Sequence, residues 1–221
     1  MTRTDTRTLS EPESKRVLAD AGVPVLEERV VDTPDEAAEA ARQLGPDSPV
    51  VVKLYGEGVA HKTERGLVRL GLRGGDDVRA AAQAVLDAAT PADGDVGVLV
   101  APMVRGSREL IAGVARDPQF GASVMVGIGG VLAEALADVA FRLVPVERVD
   151  AEEMLDDLGA RRLFGPVRGE PPVDRDAVVD VLVALSRLAA DRPDIVSVDV
   201  NPLVVVDGRP IAVDALVEVE A

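Results

Sequence analysis

The sequence predicts a mixed fold of the α/β or α+β class, in which helices pack on β-sheets. Segments with helical spacing alternate with apolar, β-branched runs in the first half of the 221 residues. In the second half the two kinds of segment follow each other less regularly, which keeps both fold classes open. The length allows one large domain or two small ones, and the weakest seam lies at residues 90–105, where two lobes would meet.

Composition argues against several classes of partner. The net charge is −15 and only 2% of the residues are aromatic, whereas nucleic-acid binding relies on basic patches and base stacking. The chain has no cysteine, so it forms no disulfide. No apolar run approaches the roughly 18 residues of a membrane-spanning helix. We therefore expect a soluble cytoplasmic protein that binds neither nucleic acid nor membranes.

Capping signals and apolar runs predict the individual elements in order. Ser10 and Glu13 open a first helix, and Thr33 and Glu36 form a capping box for a second helix that Gly45 ends. Further helices are expected at 76–89, 150–163 and 174–190, with a short helical stretch at 134–136. Strands are expected at 25–31, 49–54, 67–72, 96–104, 109–115, 123–127 and 139–144, and from 195 onward.

The loop at residues 53–66, K-L-Y-G-E-G-V-A-H-K-T-E-R-G, holds the strongest candidate for chemistry. It contains the only histidine, His61, and two of the three lysines, Lys53 and Lys62. Its glycines would allow close approach to a ligand. Neutral imidazole can accept a group covalently, and a lysine at a strand end can hold phosphates. The competing interpretations are a solvated histidine without a role and an exposed lysine on a strand edge.

A hairpin near the C-terminus predicts a cluster of oxygen ligands. Asp207 and Gly208 between β-branched runs indicate a two-residue type I′ turn, which places Asn201 opposite Asp214 and Asp199 on the same face. Such oxygens suit Mg²⁺. The alternative is a solvated outer face, and the proline at 210 or a bulge would shift the pairing.

Two further features bear on nucleotide binding. The stretch G-I-G-G at 127–130, followed by Glu134, is typical of a phosphate-binding turn, although most such stretches are simply tight turns. Glu109 begins an apolar strand after Arg105 and Arg108, where it would accept hydrogen bonds from a ribose or pair with one of those arginines.

Taken together, the motifs resemble one family along nearly the whole chain. The matching stretches are L-S-E-P-E-S-K-R-V-L at 9–18, V-V-V-K-L at 50–54, H-K-T-E-R-G at 61–66, E-L-I-A-G-V-A-R-D-P-Q-F-G at 109–121, G-I-G-G-V-L-A-E at 127–134, R-G-E-P-P-V-D at 168–174 and D-V-N-P-L-V-V at 199–205. In this order they resemble the ATP-grasp subunit of ADP-forming acyl-CoA (acetyl-CoA) synthetases. More distantly, the plan is similar to the nucleotide-binding subunit of succinyl-CoA synthetases.

The resemblance implies an ATP-grasp fold of two lobes, each a sheet with packed helices. The expected boundaries are a flexible tail at 1–9, an N-terminal lobe at 10–102 with the His61 loop, and a C-terminal lobe at 103–221 with the metal and nucleotide site. It also implies a reversible reaction in which acyl-CoA, ADP and phosphate give acid, CoA and ATP. An acyl phosphate on a CoA-binding partner subunit phosphorylates a histidine there, and the phosphoryl group is relayed to a second histidine before it reaches ADP.

Site residues carry over from the resemblance position by position. His61 would be the second histidine of the relay, with Asp199 beside it, and Lys53 would contact nucleotide phosphates. Glu109 would hold the ribose. The adenine-binding hinge would be the backbone of Ala101, Pro102, Met103 and Val104. The metal ligands for Mg²⁺ would be Asn201 and Asp214.

Two departures from the family pattern keep alternatives open. Related chains usually have a second glycine where this chain has Leu67, which stiffens the loop exit. The chain also lacks the CoA-binding and ligase domains, so we expect it to act in a hetero-oligomer with a partner subunit and not alone. The alternatives are an ATP-grasp carboxylate ligase in which His61 is incidental, and a non-catalytic nucleotide-binding subunit.

Overall fold

The computed structural model describes residues 5–45, 48–59, 62–130, 137–167 and 169–221, and the chain divides into two compact units. The first unit comprises Met1–Leu9, Glu13–Val25 and Arg105–Ala221, and the second comprises Ser10–Pro12 and Leu26–Val104. None of the helices in the described part of the chain is long and apolar enough to cross a membrane.

Helices and strands mix in both units, as the predicted fold class requires. The strands are β1 (Thr6–Thr8), β2 (Arg29–Val31), β3 (Val50–Tyr55), β4 (Val68–Leu72), β5 (Gly97–Pro102), β6 (Glu109–Asp117), β7 (Gly121–Ile128), β8 (Val139–Leu143), β9 (Ile195–Val206), β10 (Arg209–Ala212) and β11 (Ala215–Glu220). The α-helices are α1 (Glu11–Asp20), α2 (Pro34–Leu44), α3 (Gly75–Asp87), α4 (Arg148–Asp157) and α5 (Arg175–Asp191), and short 3₁₀ turns cover Pro91–Asp93 and Arg161–Phe164.

The second unit is a four-stranded antiparallel sheet with two helices packed on it. Its strand order is β2-β5-β3-β4, so the apolar runs of β3 and β5 occupy the interior of the sheet. The predicted capping box is present at the start of α2, where Thr33 accepts from the backbone N–H of Glu36 and Gly45 caps the other end. Alanines of α2 and α3 pack with valines of β3 and β5 to form the core of this unit.

The first unit is built on a seven-stranded antiparallel sheet. The order is β1-β11-β9-β6-β7-β8, with β10 paired to β9. Buried residues of α1, α4 and α5 cover one face of this sheet and form its core with the inward-facing residues of β6, β7 and β9. The long strand β9 lies between β11 and β6, and it carries Asp199 and Asn201 into the middle of the sheet.

The structure differs from the predicted tail and boundaries at the N-terminus. Thr6–Thr8 is not a free tail but pairs with β11, and the Leu9 N–H donates to Val217 O at 2.9 Å. Glu13–Val25 belongs to the first unit, so the simple division at 102 and 103 fails for this segment. The sequence of Thr6–Thr8 gave no local sign that this segment pairs with β11, because the partner strand lies at the opposite end of the chain.

Two predicted elements are shorter than expected. The strand predicted at 25–31 forms a ladder only at Arg29–Val31, while Val25 makes an isolated parallel bridge with Ala212, since the chain passes from one unit to the other between Val25 and Leu26. The helix predicted at 150–163 ends at Asp157, and the Asp138 carboxylate accepts from the N–H groups of Gly159 and Ala160 just beyond it. The helical stretch predicted at 134–136, including Glu134, lies outside the described residues.

Candidate functional site

Lys53 is a buried cation on an interior strand. It lies on β3 between Leu99 of β5 and Val68 of β4, and it is 7% exposed. Its Nζ donates to Oε1 of Glu11 at 2.7 Å. The interpretation of Lys53 as an exposed lysine on a strand edge is therefore wrong. A buried ammonium needs a paired counterion, and Glu11 provides it.

Lys62 joins the same carboxylate from the other side. Its Nζ donates to Oε2 of Glu11 at 2.5 Å, so one buried carboxylate binds the two lysines of the loop. His61, the residue immediately before Lys62 in the chain, lies outside the described residues. The interpretation of His61 as a phosphoryl carrier thus stays a prediction that rests on the resemblance.

The turn that follows Lys62 is anchored at several points. Leu67 N–H donates to Lys62 O at 2.8 Å, and Arg65 makes two bonds to the Asp93 carboxylate at 2.6 and 2.8 Å. Asp93 also accepts from the Thr90 backbone and hydroxyl. The guanidinium of Arg65, followed by these Thr90 bonds, holds the pKa of Asp93 well below its ordinary value. The segment from 62 to 67 is therefore fixed to the body of the second unit.

The glycines of the loop have a packing role that the sequence did not reveal. A Cβ at Gly56 would lie 2.6 Å from Asp93 O, and one at Gly58 would lie 2.0 Å from Ala92 O. Gly58 N–H donates to Asp93 O at 3.2 Å. These two glycines thus allow close approach to the chain's own backbone, where the sequence had suggested approach to a ligand.

The predicted adenine hinge lies at the end of β5. Ala101 and Pro102 pair with Val51 and Val50 of β3, while the Met103 N–H donates to Pro49 O at 2.8 Å. On its other side, β5 pairs with β2 only at Val98–Val100. One backbone edge from Ala101 to Val104 therefore lies beyond the β2 ladder, which suits a role in binding a purine through backbone groups.

The predicted hairpin register is confirmed in the first unit. Val206 pairs with Arg209 and Leu203 with Ala212, and beyond them Val200 pairs with Ala215. Asn201 and Asp214 face each other across the interval between these two ladders, where Val213 N–H donates to Pro202 O at 3.1 Å. The register of β9 shifts opposite β6 between Leu110 and Ala112, and opposite β11 between Glu218 and Val219, and neither shift interrupts the pairs from Val206 to Val200.

The negative charge of Asp214 acts on Asp199. Partial burial, followed by the negative charge of Asp214, raises the pKa of Asp199 above its ordinary value, although Asp199 keeps contact with solvent. A divalent cation would relieve this repulsion. Together with Asn201 the pair offers hard oxygen donors, which fit Mg²⁺.

The acidic pair alone does not form a complete cage for a metal ion. Across the described ranges, no group of three or more His, Cys, Asp or Glu residues is arranged to hold a metal. Mg²⁺ commonly binds through one or two protein oxygens, waters and substrate phosphates. The donor set therefore fits a cation that arrives with a nucleotide better than a resident structural metal.

Glu109 begins β6 and packs against the glycines of the G-I-G-G stretch. Gly129 N–H donates to Glu109 O at 2.8 Å, and a Cβ at Gly130 would lie 3.6 Å from Glu109 Oε2. Neighbouring Arg108 is buried and donates to the carbonyls of Leu163, Gly165 and Pro171. The glycines thus accommodate β6, and the phosphate-binding interpretation of this stretch stays a prediction.

Comparison with known proteins places this arrangement in a defined class. Residues 1–219 match the family model of the ATP-grasp domain. The chain is 36% identical over 216 residues to acetate–CoA ligase (ADP-forming) I subunit beta of Pyrococcus furiosus, covering 96% of this chain and 92% of that one. It is 39% identical over 210 residues to acetate–CoA ligase (ADP-forming) I of Archaeoglobus fulgidus, covering 90% of this chain but 30% of that longer protein. The chain belongs to the ATP-grasp family of ADP-forming acid–CoA ligase subunits.

Solved structures of one relative match the same length of chain. Acetyl-coenzyme A synthetase 1 of Ca. Korarchaeum cryptofilum, in complex with coenzyme A and Ca-AMPCP, is 34% identical with a TM-score of 0.89, covering 96% of this chain and 93% of that chain. Two further structures of that enzyme, with the same coverage, differ in the orientation of their phosphohistidine segment. In one, with Mg-AMPPCP, the segment points towards the nucleotide binding site (34% identity, TM-score 0.83). In the other it is phosphorylated, in the site I orientation (32% identity, TM-score 0.84).

Sequence reasoning missed the acids that hold the loop. Glu11 was placed only within a matching motif, and Asp93 was not singled out, yet Glu11 binds Lys53 and Lys62 and Asp93 binds Arg65. One signal was available, because only three of the 24 basic residues are lysines. Because lysine carries a more compact charge than arginine, a lysine in a chain that otherwise uses arginine is a candidate for a specific ion pair.

Proposed function

We propose that the chain is the nucleotide-binding subunit of an ADP-forming acyl-CoA synthetase and relays a phosphoryl group through His61. The observation that carries this proposal is its similarity, over 96% of the chain, to an enzyme crystallised with Mg-AMPPCP and its phosphohistidine segment pointing towards the nucleotide binding site. The buried Lys53 and the anchored turn after His61 agree with this role, because they belong to the stretches V-V-V-K-L and H-K-T-E-R-G that resemble the family.

The residues would divide the work as follows. Lys53 binds nucleotide phosphates as a point charge, the backbone of Ala101–Val104 binds the adenine, and Glu109 accepts hydrogen bonds from the ribose. Asn201 and Asp214 would hold Mg²⁺, with Asp199 beside them, and when bound the cation would supply neutralisation of phosphate charge.

In the direction of ATP synthesis, the phosphohistidine at His61 transfers its phosphoryl group to an oxygen of the ADP β-phosphate. The N–P bond breaks, a new O–P bond forms, and neutral imidazole remains. Positioning and charge neutralisation supply most of the catalysis in such transfers. In the reverse direction neutral imidazole is the nucleophile, and ADP leaves.

A CoA-binding partner subunit completes the proposed reaction. The Archaeoglobus fulgidus relative is a single longer protein of which this chain spans 30%, whereas the Pyrococcus furiosus relative is a β subunit of similar length. The Pyrococcus furiosus relative supports a hetero-oligomer with a separate partner chain, and the Archaeoglobus fulgidus relative supports a requirement for further domains. The acyl group would then be recognised mainly by that partner.

Labelling with γ-³²P-ATP and Mg²⁺, with and without the partner subunit, tests the relay. Acid-labile phosphohistidine is expected in the wild type and not in His61→Ala, and addition of ADP should remove the label as ATP. If no acid-labile label forms under either condition, the relay is refuted. Release of ADP with a free acid and an acceptor, undiminished in His61→Ala, would indicate a direct carboxylate ligase. Tight nucleotide binding without any transfer would indicate a non-catalytic subunit.

A further inference from the structure

Strand β8 lies at the edge of the seven-stranded sheet and exposes a row of apolar side chains. Within the described residues it pairs with β7 alone. Val139, Phe141 and Leu143 are 41%, 54% and 57% exposed. Ala140, which lies between the first two, is buried in the core under the helices. Because side chains alternate along a strand, the three exposed ones stand together on the opposite face, and such a contiguous apolar row is typical of an interaction site.

The neighbouring strand β7 extends this apolar surface without adding charge. Met125 pairs with Phe141 and is only partly buried. Although the chain carries a net charge of −15, the outward-facing positions of β7 and β8 are all uncharged. We call these positions the β8 patch: Ser123, Met125, Gly127, Val139, Phe141 and Leu143. Charged residues are likewise depleted at the centre of protein–protein interfaces.

The placement of phenylalanine points to the same part of the sheet. The chain has three phenylalanines and no tryptophan. Phe164 is 5% exposed, whereas Phe141 is 54% exposed and Phe120 is 71% exposed. Phe120 lies in the turn just before β7, close in sequence to Ser123, which pairs with Leu143. Aromatic side chains are enriched at the centres of interfaces, so their exposure here favours a docking surface.

The β8 patch shares a face of the sheet with the candidate metal site. A row of paired residues runs across four strands, from Asp199 to Gly113, then to Met125 and finally to Phe141. Three spacings of about 4.8 Å place β8 about 14 Å from β9. A protein–protein interface of standard size covers about 800 Å² on each partner, or roughly 28 Å across. One docked domain can therefore cover the β8 patch and border Asp199 at the same time.

Backbone geometry favours docking through side chains over the addition of a strand. Val144 N–H donates to Ala122 O at 2.8 Å, so the residues of β8 in between the bonded ones direct their backbone groups to the open edge. One of these groups, the Phe141 carbonyl, accepts from Nη1 of Arg142 at 3.0 Å, and Nη2 of Arg142 donates to the Asp157 carboxylate. The arginine thus occupies an acceptor that a further strand would need, and charged side chains commonly protect edge strands in this way.

Charge distinguishes a second copy of the chain from a different protein as the occupant. Two copies with a net charge of −15 each repel one another, and the uncharged patch offers no compensation. Acids also border the patch, because the Asp117 carboxylate accepts from Phe120 N–H, and Glu153 and Asp157 flank Arg142. The surface is therefore complementary to an apolar contact area with a basic border.

We propose that the β8 patch is the docking surface for the CoA-binding partner subunit, which covers it with an apolar contact area bordered by lysine or arginine. This inference rests on the proposed function. A partner that delivers a phosphoryl group has to approach the face that carries Asp199, and the β8 patch is an uncharged, apolar part of that face. Phe141 lies between Val139 and Leu143 in the row, so it is the anchor of the contact.

Substitution at the centre of the patch tests the contact in the full-length chain. Calorimetry gives the Kd for the purified CoA-binding subunit encoded in the same genome. We expect Phe141→Asp to weaken this affinity at least about 10²-fold, because it buries an unpaired charge in an apolar contact. Phe141→Thr keeps a high strand propensity and adds no charge, so it should fold even where the aspartate variant does not, and it should weaken binding about tenfold.

Val149→Asp is the matched control. Val149 is 56% exposed in the first turn of α4, which packs on the other face of the sheet. The substitution introduces the same charge at nearly the same exposure, and an acid is favourable in the first turn of a helix. It should leave the Kd for the partner unchanged. A loss of affinity equal to that of Phe141→Asp would indicate a general charge effect and overturn the inference.

Fluorine NMR reads the exposure of the patch directly. With fluorophenylalanine the chain gives three signals, and single Phe→Leu variants assign them. A soluble paramagnetic agent should broaden the signals of Phe120 and Phe141 in the chain alone and leave that of Phe164 sharp. Addition of the CoA-binding subunit should shift the Phe141 signal and protect it from the agent. Protection of Phe141 in the chain alone would overturn the inference, and its dependence on chain concentration would identify a second copy as the occupant.

The outcomes keep the docking surface separate from the proposed function. If the wild type forms phosphohistidine from γ-³²P-ATP but both Phe141 variants bind the partner as tightly as the wild type, the docking surface is refuted and the relay stands. If no phosphohistidine forms while the Phe141 variants lose the partner, the relay is refuted and the docking surface stands.

Discussion

Leu67 provides the sharpest test of how the loop is attached to its unit. Related chains usually have glycine at this position, which led to the expectation of a stiffened loop exit. In the structure its side chain is fully buried in the core of the second unit. Its N–H donates to Lys62 O at 2.8 Å, and its carbonyl accepts from Leu54 N–H at 2.9 Å. Leu67 therefore closes the turn that follows His61 and also fills the core.

The cost of Leu67→Ala follows from this burial. Truncating a fully buried leucine removes its transfer free energy and leaves a cavity, which together cost about 3 kcal/mol. This is a large fraction of the stability of a small domain, which is about 5–15 kcal/mol. With a urea m-value of about 1.5 kcal/mol per molar, the unfolding midpoint should fall by about 2 M.

The composition of the chain supplies a specific probe for this measurement. Tyr55 is the only tyrosine and there is no tryptophan, so tyrosine fluorescence reports on the second unit alone. The matched control is Leu70→Ala on β4, because Leu70 is 63% exposed and its truncation should cost less than about 0.5 kcal/mol. Equal midpoints for the two variants would refute the assignment of Leu67 to the core.

Three further perturbations test separate parts of the structure. The pKa of Asp93 lies below its ordinary 3.8, so its ionised form stabilises the fold. The difference in thermal stability between wild type and Asp93→Asn should be full near pH 7 and shrink below about pH 4, as melts followed by tyrosine fluorescence would show. A difference that stays constant with pH would contradict the ion pair. Gly58→Ala should lower the urea midpoint of the second unit, because its Cβ would lie 2.0 Å from Ala92 O. Gly75→Ala is the control and should leave the midpoint unchanged, because its Cβ would meet nothing closer than 3.6 Å. Equal effects of the two substitutions would contradict the packing of the loop. Asp214→Asn should weaken Mg-ADP binding at least about tenfold in calorimetry while leaving metal-free ADP binding unchanged, and an unchanged Mg²⁺ dependence would contradict its role as a ligand.

The elements predicted best are those with strong local signals. The capping box at Thr33 and Glu36 fixed the start of α2, and the run of β-branched residues fixed β3 almost to the residue. The Asp207–Gly208 turn determined a register that extends as far as Glu218 opposite Ser197. Pro210 did not disturb it, because Pro210 lies opposite Val205 of β9 and the bridge from β10 to Val25 is made at Ala212, so the proline N–H is dispensable.

Elements that depend on distant partners were not predictable from the sequence. The strand Thr6–Thr8 forms only because β11, more than two hundred residues later, offers a free edge. The break after Asp157 depends on Asp138, whose carboxylate binds the exposed N–H groups from another part of the chain. Neither interaction has a local periodicity or a capping pattern that would identify it.

The candidate site shows the same division between local and distant information. Asn201 and Asp214 lie on opposite sides of a hairpin with a two-residue turn, so simple pairing rules bring them together without knowledge of the fold. Glu11 and Lys53 are 42 residues apart, and their meeting depends on where α1 and β3 lie in the folded unit. Because a buried carboxylate must find a cation, the fold makes Glu11 and Lys53 obligatory partners, although no spacing rule connects them. Charge burial, and not sequence spacing, is therefore what joins the L-S-E motif near the N-terminus to Lys53.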